Sequence, residues 1–178
     1  MIQICIEVGK SGGLIESIRT LENRIGKKIS VFSKILLSDT GILEDKLHII
    51  LNSVISIHVI EQREVNVLIL RRIHLVDEKT KKRLVYASSR IHIDWLPLSI
   101  INQIREKHDG LGKILMNSQL EIHKKIVTLG YDCAKERLFR IYDIYSQKQI
   151  IIETEEVMLI SDEDLKSTVI RNNGPGGI

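Results

Sequence analysis

The chain has 178 residues, enough for one domain with a proper core and too few for two comfortable ones. Aromatic residues make up only 4% of it and the net charge is +3, so neither a stacking platform for single-stranded nucleic acid nor an electrostatic footprint for DNA is supplied. Cys5 and Cys133 match no zinc or redox spacing, and no apolar run approaches the ~18 residues of a membrane span, which makes a soluble, cytoplasmic protein without metal or cofactor the expectation.

The start, Met1-Ile2-Gln3-Ile4, lacks a basic region followed by a long apolar stretch. Ile2 to Val8 reads as a short strand or an extended arm. Gly9-Lys10-Ser11-Gly12-Gly13 contains the Gly-Lys-Ser of a phosphate loop, but Ile4 stands where that loop needs its first glycine, so a flexible turn is the simpler reading. Leu14, Ile18, Leu21 and Ile25 then recur at helical spacing, with Gly26 as a C-terminal stop. A second helix is expected from Ile29 to Leu37, a break at Ser38-Asp39-Thr40-Gly41, and a third over Ile42, Leu43, Leu47, Ile50 and Leu51.

From Val54 β-branched residues dominate, which predicts strands at Val54 to Gln62, Val65 to Val76 and Arg83 to Ile93, the last two joined by a charged hairpin loop. Leu96-Pro97 opens a short helix through Leu98, Ile101 and Ile104. Asp109-Gly110-Leu111-Gly112 breaks the chain, and a helical turn from Lys113 to Asn117 follows. Leu120 to Leu129, Leu138 to Tyr145 and Gln149 to Ile160 read as three further strands. The order predicts an α+β fold, a six-stranded antiparallel sheet with covering helices. It forms a single domain over 1–165, helical over 1–52 and sheet over 53–160, followed by a flexible tail at 166–178.

Two charges fall where strand alternation puts apolar side chains. Reading alternate residues, Arg71 shares a face with Val65, Val67, Ile69, Ile73 and Leu75, whereas Arg72 faces the other way. An arginine keeps its proton, so it must meet an anion there, either a buried carboxylate or a bound acidic ligand. On the last strand, Glu156 shares a face with Ile150, Ile152, Thr154, Met158 and Ile160 while Glu153 and Glu155 lie opposite. A carboxyl so placed is a candidate acid or base and a candidate partner for Arg71, although one β-bulge would exchange Glu156 with Glu155. Gly110-Leu111-Gly112 lets backbone N–H groups approach a ligand, a second anion-binding element beside Arg71. The six histidines are scattered singly and read as half-exposed face residues, and no activated nucleophile is apparent.

Taken in order, Leu70-Arg71-Arg72-Ile73-His74-Leu75, Leu84-Val85-Tyr86-Ala87 with Arg90, Leu96-Pro97, Gly110-Leu111-Gly112-Lys113-Ile114-Leu115 and Thr154-Glu155-Glu156 resemble the chorismate pyruvate-lyase family. Leu37-Ser38-Asp39-Thr40-Gly41 also looks like the loop before a helix in its archaeal and bacterial branch. The resemblance covers about Val54 to Ile160; the first 35 residues match nothing comparable, and Lys148 and Gln149 or Ile150 replace the family's hairpin glycine and proline. It implies a small aromatic acid enclosed beneath helical flaps, and cofactor-free cleavage of chorismate to 4-hydroxybenzoate and pyruvate. It further implies that Arg71 holds the substrate carboxylate with help from Leu111 and Gly112, that Arg90 stands near the pocket, and that the late-strand glutamate, Glu155 or Glu156, faces the ring hydroxyl. A related sheet serves as the effector-binding domain of GntR-type regulators, so a non-catalytic domain that binds a small carboxylic acid is the alternative. The expected partner is a small molecule, with no nucleic acid or membrane, and the exposed first strand leaves room for a homodimer.

Overall fold

The computed structural model describes residues 6–9 and 13–161. Cys5, the Lys10–Gly12 part of the glycine-rich segment and the expected tail at 166–178 lie outside the described residues.

Three short helices come first, α1 (Leu14–Ile25), α2 (Val31–Ser38) and α3 (Leu43–Leu51). α1 buries Ile18 and Leu21 and ends at Gly26, whose φ of 69° is the left-handed conformation that favours glycine. The connection to α2 is clamped by Glu22, which accepts from the Ile29 N–H at 2.9 Å and pairs with Lys34 Nζ at 2.7 Å. The Lys34 and Ile29 bonds hold its pKa down at about 2. Ser30 caps α2 by accepting from the Ser33 N–H at 3.1 Å.

Among the described residues the sheet has seven strands, not six: β1 (Ile6–Gly9), β2 (Ile55–Val65), β3 (Leu68–Asp77), β4 (Arg83–His92), β5 (His123–Asp132), β6 (Arg137–Ser146) and β7 (Gln149–Met158), ordered β1-β5-β6-β7-β4-β3-β2. The added strand is β1, the segment read as a strand or an arm. It pairs antiparallel with β5 from Ile6↔Tyr131 to Gly9↔Thr128 and so occupies the hydrogen-bonding edge that β5 would otherwise expose. β2–β3–β4 and β5–β6–β7 are two meanders, joined through the antiparallel β4–β7 pair. The crossover between them carries a single 3-10 turn at Ile93–Trp95, then α4 (Leu98–Glu106) and α5 (Leu111–Met116).

The run Val65 to Val76 is not one strand. The chain reverses at Asn66 and Val67, with Asn66 at φ 53°, a conformation asparagine tolerates better than most residues. Val65 and Val67 are therefore exposed and do not share the face of Arg71, which keeps Ile69, Ile73 and Leu75 as neighbours on its strand. Gln147 and Lys148, both at positive φ, make the tight β6–β7 turn, a backbone shape that two-residue hairpins use without needing the glycine and proline of the family pattern.

Residues paired across neighbouring strands share a face of the sheet. One rung of the inward face reads Gln62, Arg71, Ser89, Thr154, Tyr142 and Ile126, and the next reads Val59, Ile73, Ala87, Glu156, Arg140 and Leu129. To one side lies the apolar rung Ile69, Ile91, Ile152 and Ile144, which packs with α1, α4 and α5; to the other, Leu75, Val85 and Met158 pack with α3 and the end of α2. The core is thus divided into two apolar clusters, and a polar band crosses the sheet between them.

Candidate ligand cavity

A cavity of about 370 Å³ opens over this band, within the roughly 300–1,000 Å³ typical of small-molecule sites. The sheet supplies its floor through Arg71, Ile73, Ser89, Tyr142, Thr154 and Glu156. Its cover is Thr40–Glu44 ahead of and within the start of α3, together with Gly110–Gly112 and the rest of α5; Gly41, Lys113, Met116 and Ile122 are exposed at the rim.

Arg71 is 2% exposed. Its Nη2 donates to the Asp109 carbonyl at 2.7 Å, but Nε and Nη1 are buried without a hydrogen-bond partner among the described residues. Burial pushes its pKa down and the nearby Asp109 charge opposes this; a guanidinium nevertheless stays charged, and its unused donors suit a planar anion. The carbonyl of Asp109 ties Arg71 to the residue just before Gly110, the N-cap of α5. Gly110 packs so tightly that a Cβ there would fall 2.6 Å from Ile57 Cδ1. This close approach brings the start of α5 down over the arginine, and Leu111 and Gly112 line the same cavity.

Glu156 also faces inward, as alternation predicts, and is 6% exposed, whereas Glu155 is only half-buried on the opposite face. Its partner is not Arg71 but Arg140, a residue the sequence reading overlooked: Nε donates to Oε2 at 2.7 Å, while the Tyr142 hydroxyl donates to Oε1 at 2.8 Å. Arg140 is fully buried, and its Nη1 reaches the carbonyls of Leu36 and Asp39 at 2.6 Å each. Those carbonyls belong to the last turn of α2 and its cap, which have no intrahelical partner, so one guanidinium joins the glutamate to the loop that covers the cavity. Burial and the Glu156 charge raise the Tyr142 pKa well above its usual value, which keeps the phenol protonated as a donor. Ser89 Oγ and Thr154 Oγ1 lie 2.9 Å apart beside it.

The structure therefore brings Arg71, Glu156, Leu111 and Gly112 to one cavity and leaves out Arg90. Arg90 belongs to the outward set of β4; it is exposed and pairs with its cross-strand neighbour Glu153, so its expected place near the pocket is corrected. The same alternation that singled out Arg71 would have found Arg140, since Leu138, Arg140, Tyr142 and Ile144 are alternate residues of one strand. Two further ionisable groups of the lining were also missed. Glu44, half-buried in α3, has its pKa raised by burial, and Lys124, on β5, has its pKa lowered to about 8 by burial and the nearby Arg140 charge. Lys124 alternates with Ile122 and Ile126 in the sequence, the same signal that singled out Arg71, and the tertiary structure places it at the cavity.

Fold and cavity define a class of protein: one antiparallel sheet roofed by helices on its inward face, with a polar, arginine-bearing cavity between the two. No family model matches the chain. The chain is similar to a chorismate pyruvate-lyase of Mycobacterium leprae (strain TN), with 27% identity over 170 residues that cover 80% of this chain and 81% of that protein. This likeness supports the chorismate lyase-like family to which the motifs point. No helix among the described residues is long and apolar enough to cross a membrane.

Proposed function

We propose that the protein is a chorismate pyruvate-lyase, releasing 4-hydroxybenzoate and pyruvate from chorismate without a cofactor. The observation that carries the proposal is Arg71, a buried guanidinium with two donor nitrogens, Nε and Nη1, that find no partner among the described residues, in a cavity of ligand size. Arg71 binds the ring carboxylate, and the backbone at Leu111 and Gly112 closes over it. At the other end of the ring Glu156, oriented by Arg140 and Tyr142, accepts from the substrate hydroxyl. In the reaction the C3–O bond breaks and its electron pair leaves on the enolpyruvyl oxygen. The ring loses its C4 proton and becomes aromatic, and the enol takes up a proton to become pyruvate. Aromatisation supplies the driving force, so the protein's part is to fix the conformer, exclude water and stabilise the departing charge.

The test is incubation of the purified protein with chorismate while pyruvate and 4-hydroxybenzoate are measured. Both products are expected in equal amounts. Stabilisation of the protein by 4-hydroxybenzoate without any turnover of chorismate would replace the lyase by a non-catalytic carboxylic-acid-binding domain of the same fold.

A further inference from the structure

Lys124 contributes a second cation to the cavity lined by Arg71, from a distant strand on the same sheet face: β5 is separated from β3 by β6, β7 and β4. Its Nζ lies 3.8 Å from the centre of the Tyr142 ring and 3.3 Å from the Gly41 carbonyl, both uncharged groups. The charged groups that face it are Arg140 on β6, Glu156 on β7 and Asp39 after α2. Glu156 is already engaged by Arg140, and Asp39 Oδ1 accepts from the Gly41 N–H at 3.1 Å. The third cation of the lining, Lys113, is half-exposed and paired with Asp109 at 3.1 Å. Arg71 and Lys124 are thus the two lining cations that form no carboxylate pair among the described residues, and they approach one cavity from two sides.

A monocarboxylate occupies one of them, whereas a dicarboxylate satisfies both. We infer that Lys124 binds the second carboxylate of the substrate, that of the enolpyruvyl arm, while Arg71 holds the ring carboxylate. The assignment of these two carboxylates rests on the lyase reading above. It makes Lys124 a specificity-determining residue that favours dianionic substrate over monoanionic product. Once the C3–O bond has broken, the aromatic product no longer carries the carboxylate that Lys124 holds and leaves more readily than the substrate.

The experiment compares wild type, Lys124→Gln and Lys124→Arg, with the melting temperature of each as a folding control. It reads kcat/KM for chorismate and the inhibition constant of 4-hydroxybenzoate. In Lys124→Gln, kcat/KM is expected to fall about tenfold or more while the 4-hydroxybenzoate constant stays within about twofold, the difference one charge-assisted contact makes. Lys124→Arg restores most of the loss. In wild type, kcat/KM declines as pH rises through about 8, where the free lysine loses its proton, and Lys124→Arg moves that limb to higher pH. Equal loss for both ligands, or an unchanged kcat/KM in Lys124→Gln, overturns the inference. If wild type binds chorismate without turning it over, the lyase reading fails, and the calorimetric dissociation constants of the same two ligands decide the role of Lys124 by the same ratio. Binding of neither ligand overturns both.

Discussion

Glu156 Oε2 lies 2.7 Å from both Nε and Nη2 of Arg140 across the β6–β7 pair, and this ion pair leaves Arg71 without a carboxylate. Two buried arginines sit on one sheet face, but only one is neutralised from within. Arg140 is built into the fold, holding the end of α2 to the sheet, while Arg71 is offered to the cavity. The difference predicts opposite responses to mutation.

Replacing Arg71 by Met removes a buried charge whose partner among the described residues is a carbonyl, together with the donors proposed for the substrate. The melting temperature is expected to stay level or rise. The value of kcat/KM for chorismate is expected to fall at least about a hundredfold, as loss of two charge-assisted hydrogen bonds implies. Thermal scans and product release measured on one preparation separate the two effects. A large fall in melting temperature would mark Arg71 as structural.

Glu156→Leu strands the Arg140 guanidinium in the core and is expected to destabilise the protein by about 3–5 kcal/mol. For a domain of this size that corresponds to a melting temperature lower by roughly 6–20 °C. Pairing it with Arg140→Met should recover much of the loss, because the uncompensated charge is then gone. Denaturant titration of the two single variants and the double variant gives the coupling directly; additive losses would contradict a buried pair.

Gly110→Ala places a methyl group 2.6 Å from Ile57 Cδ1, a clash that the flexible end of the isoleucine relieves only in part. A cost of about 1–3 kcal/mol is expected, the usual range for overpacking. The larger effect should fall on ligand affinity, because Gly110 starts the helix that covers Arg71. Adding Ile57→Ala should restore binding, as calorimetry with 4-hydroxybenzoate would read. A double variant as weak as the single one would show that the clash is not the cause.

The Glu22 clamp between α1 and α2 carries a pH signature. Its carboxyl has a pKa held down at about 2 in the folded chain, against about 4.5 for an unperturbed glutamate. A depressed folded pKa contributes stability that is full above the unfolded value and disappears as pH falls through the folded one. Wild type should therefore lose stability between about pH 4.5 and pH 2 through this group, and Glu22→Gln should flatten that part of the profile. Melting temperatures at about pH 6, 4 and 3 measure it; identical slopes for the two proteins would exclude the clamp as their source.

Much of this architecture is legible in the order of the side chains. Helical spacing located α1, with Gly26 as its stop, and strand alternation turned Arg71 and Glu156 inward. Such local patterns are written in side-chain order because a helix or strand repeats its facing every 3.6 or 2 residues. What alternation does not contain is partner choice. The β1–β5 and β4–β7 pairs bring together segments far apart in the chain, and they decide that the sheet has seven strands. The turn at Asn66, hidden within a continuous β-branched run, showed the limit of the local signal: one residue at positive φ moved Val65 and Val67 off the face of Arg71.

By itself, then, the sequence determined which residues face inward, and with them an arginine that must find an anion, because facing follows from local periodicity. The tertiary structure alone decided that Glu156 goes to Arg140, that Arg90 points away, and that Lys124 comes to the far side of the same cavity. Those outcomes depend on strand register and on which loops fold over the sheet, and these are set by packing between residues many positions apart.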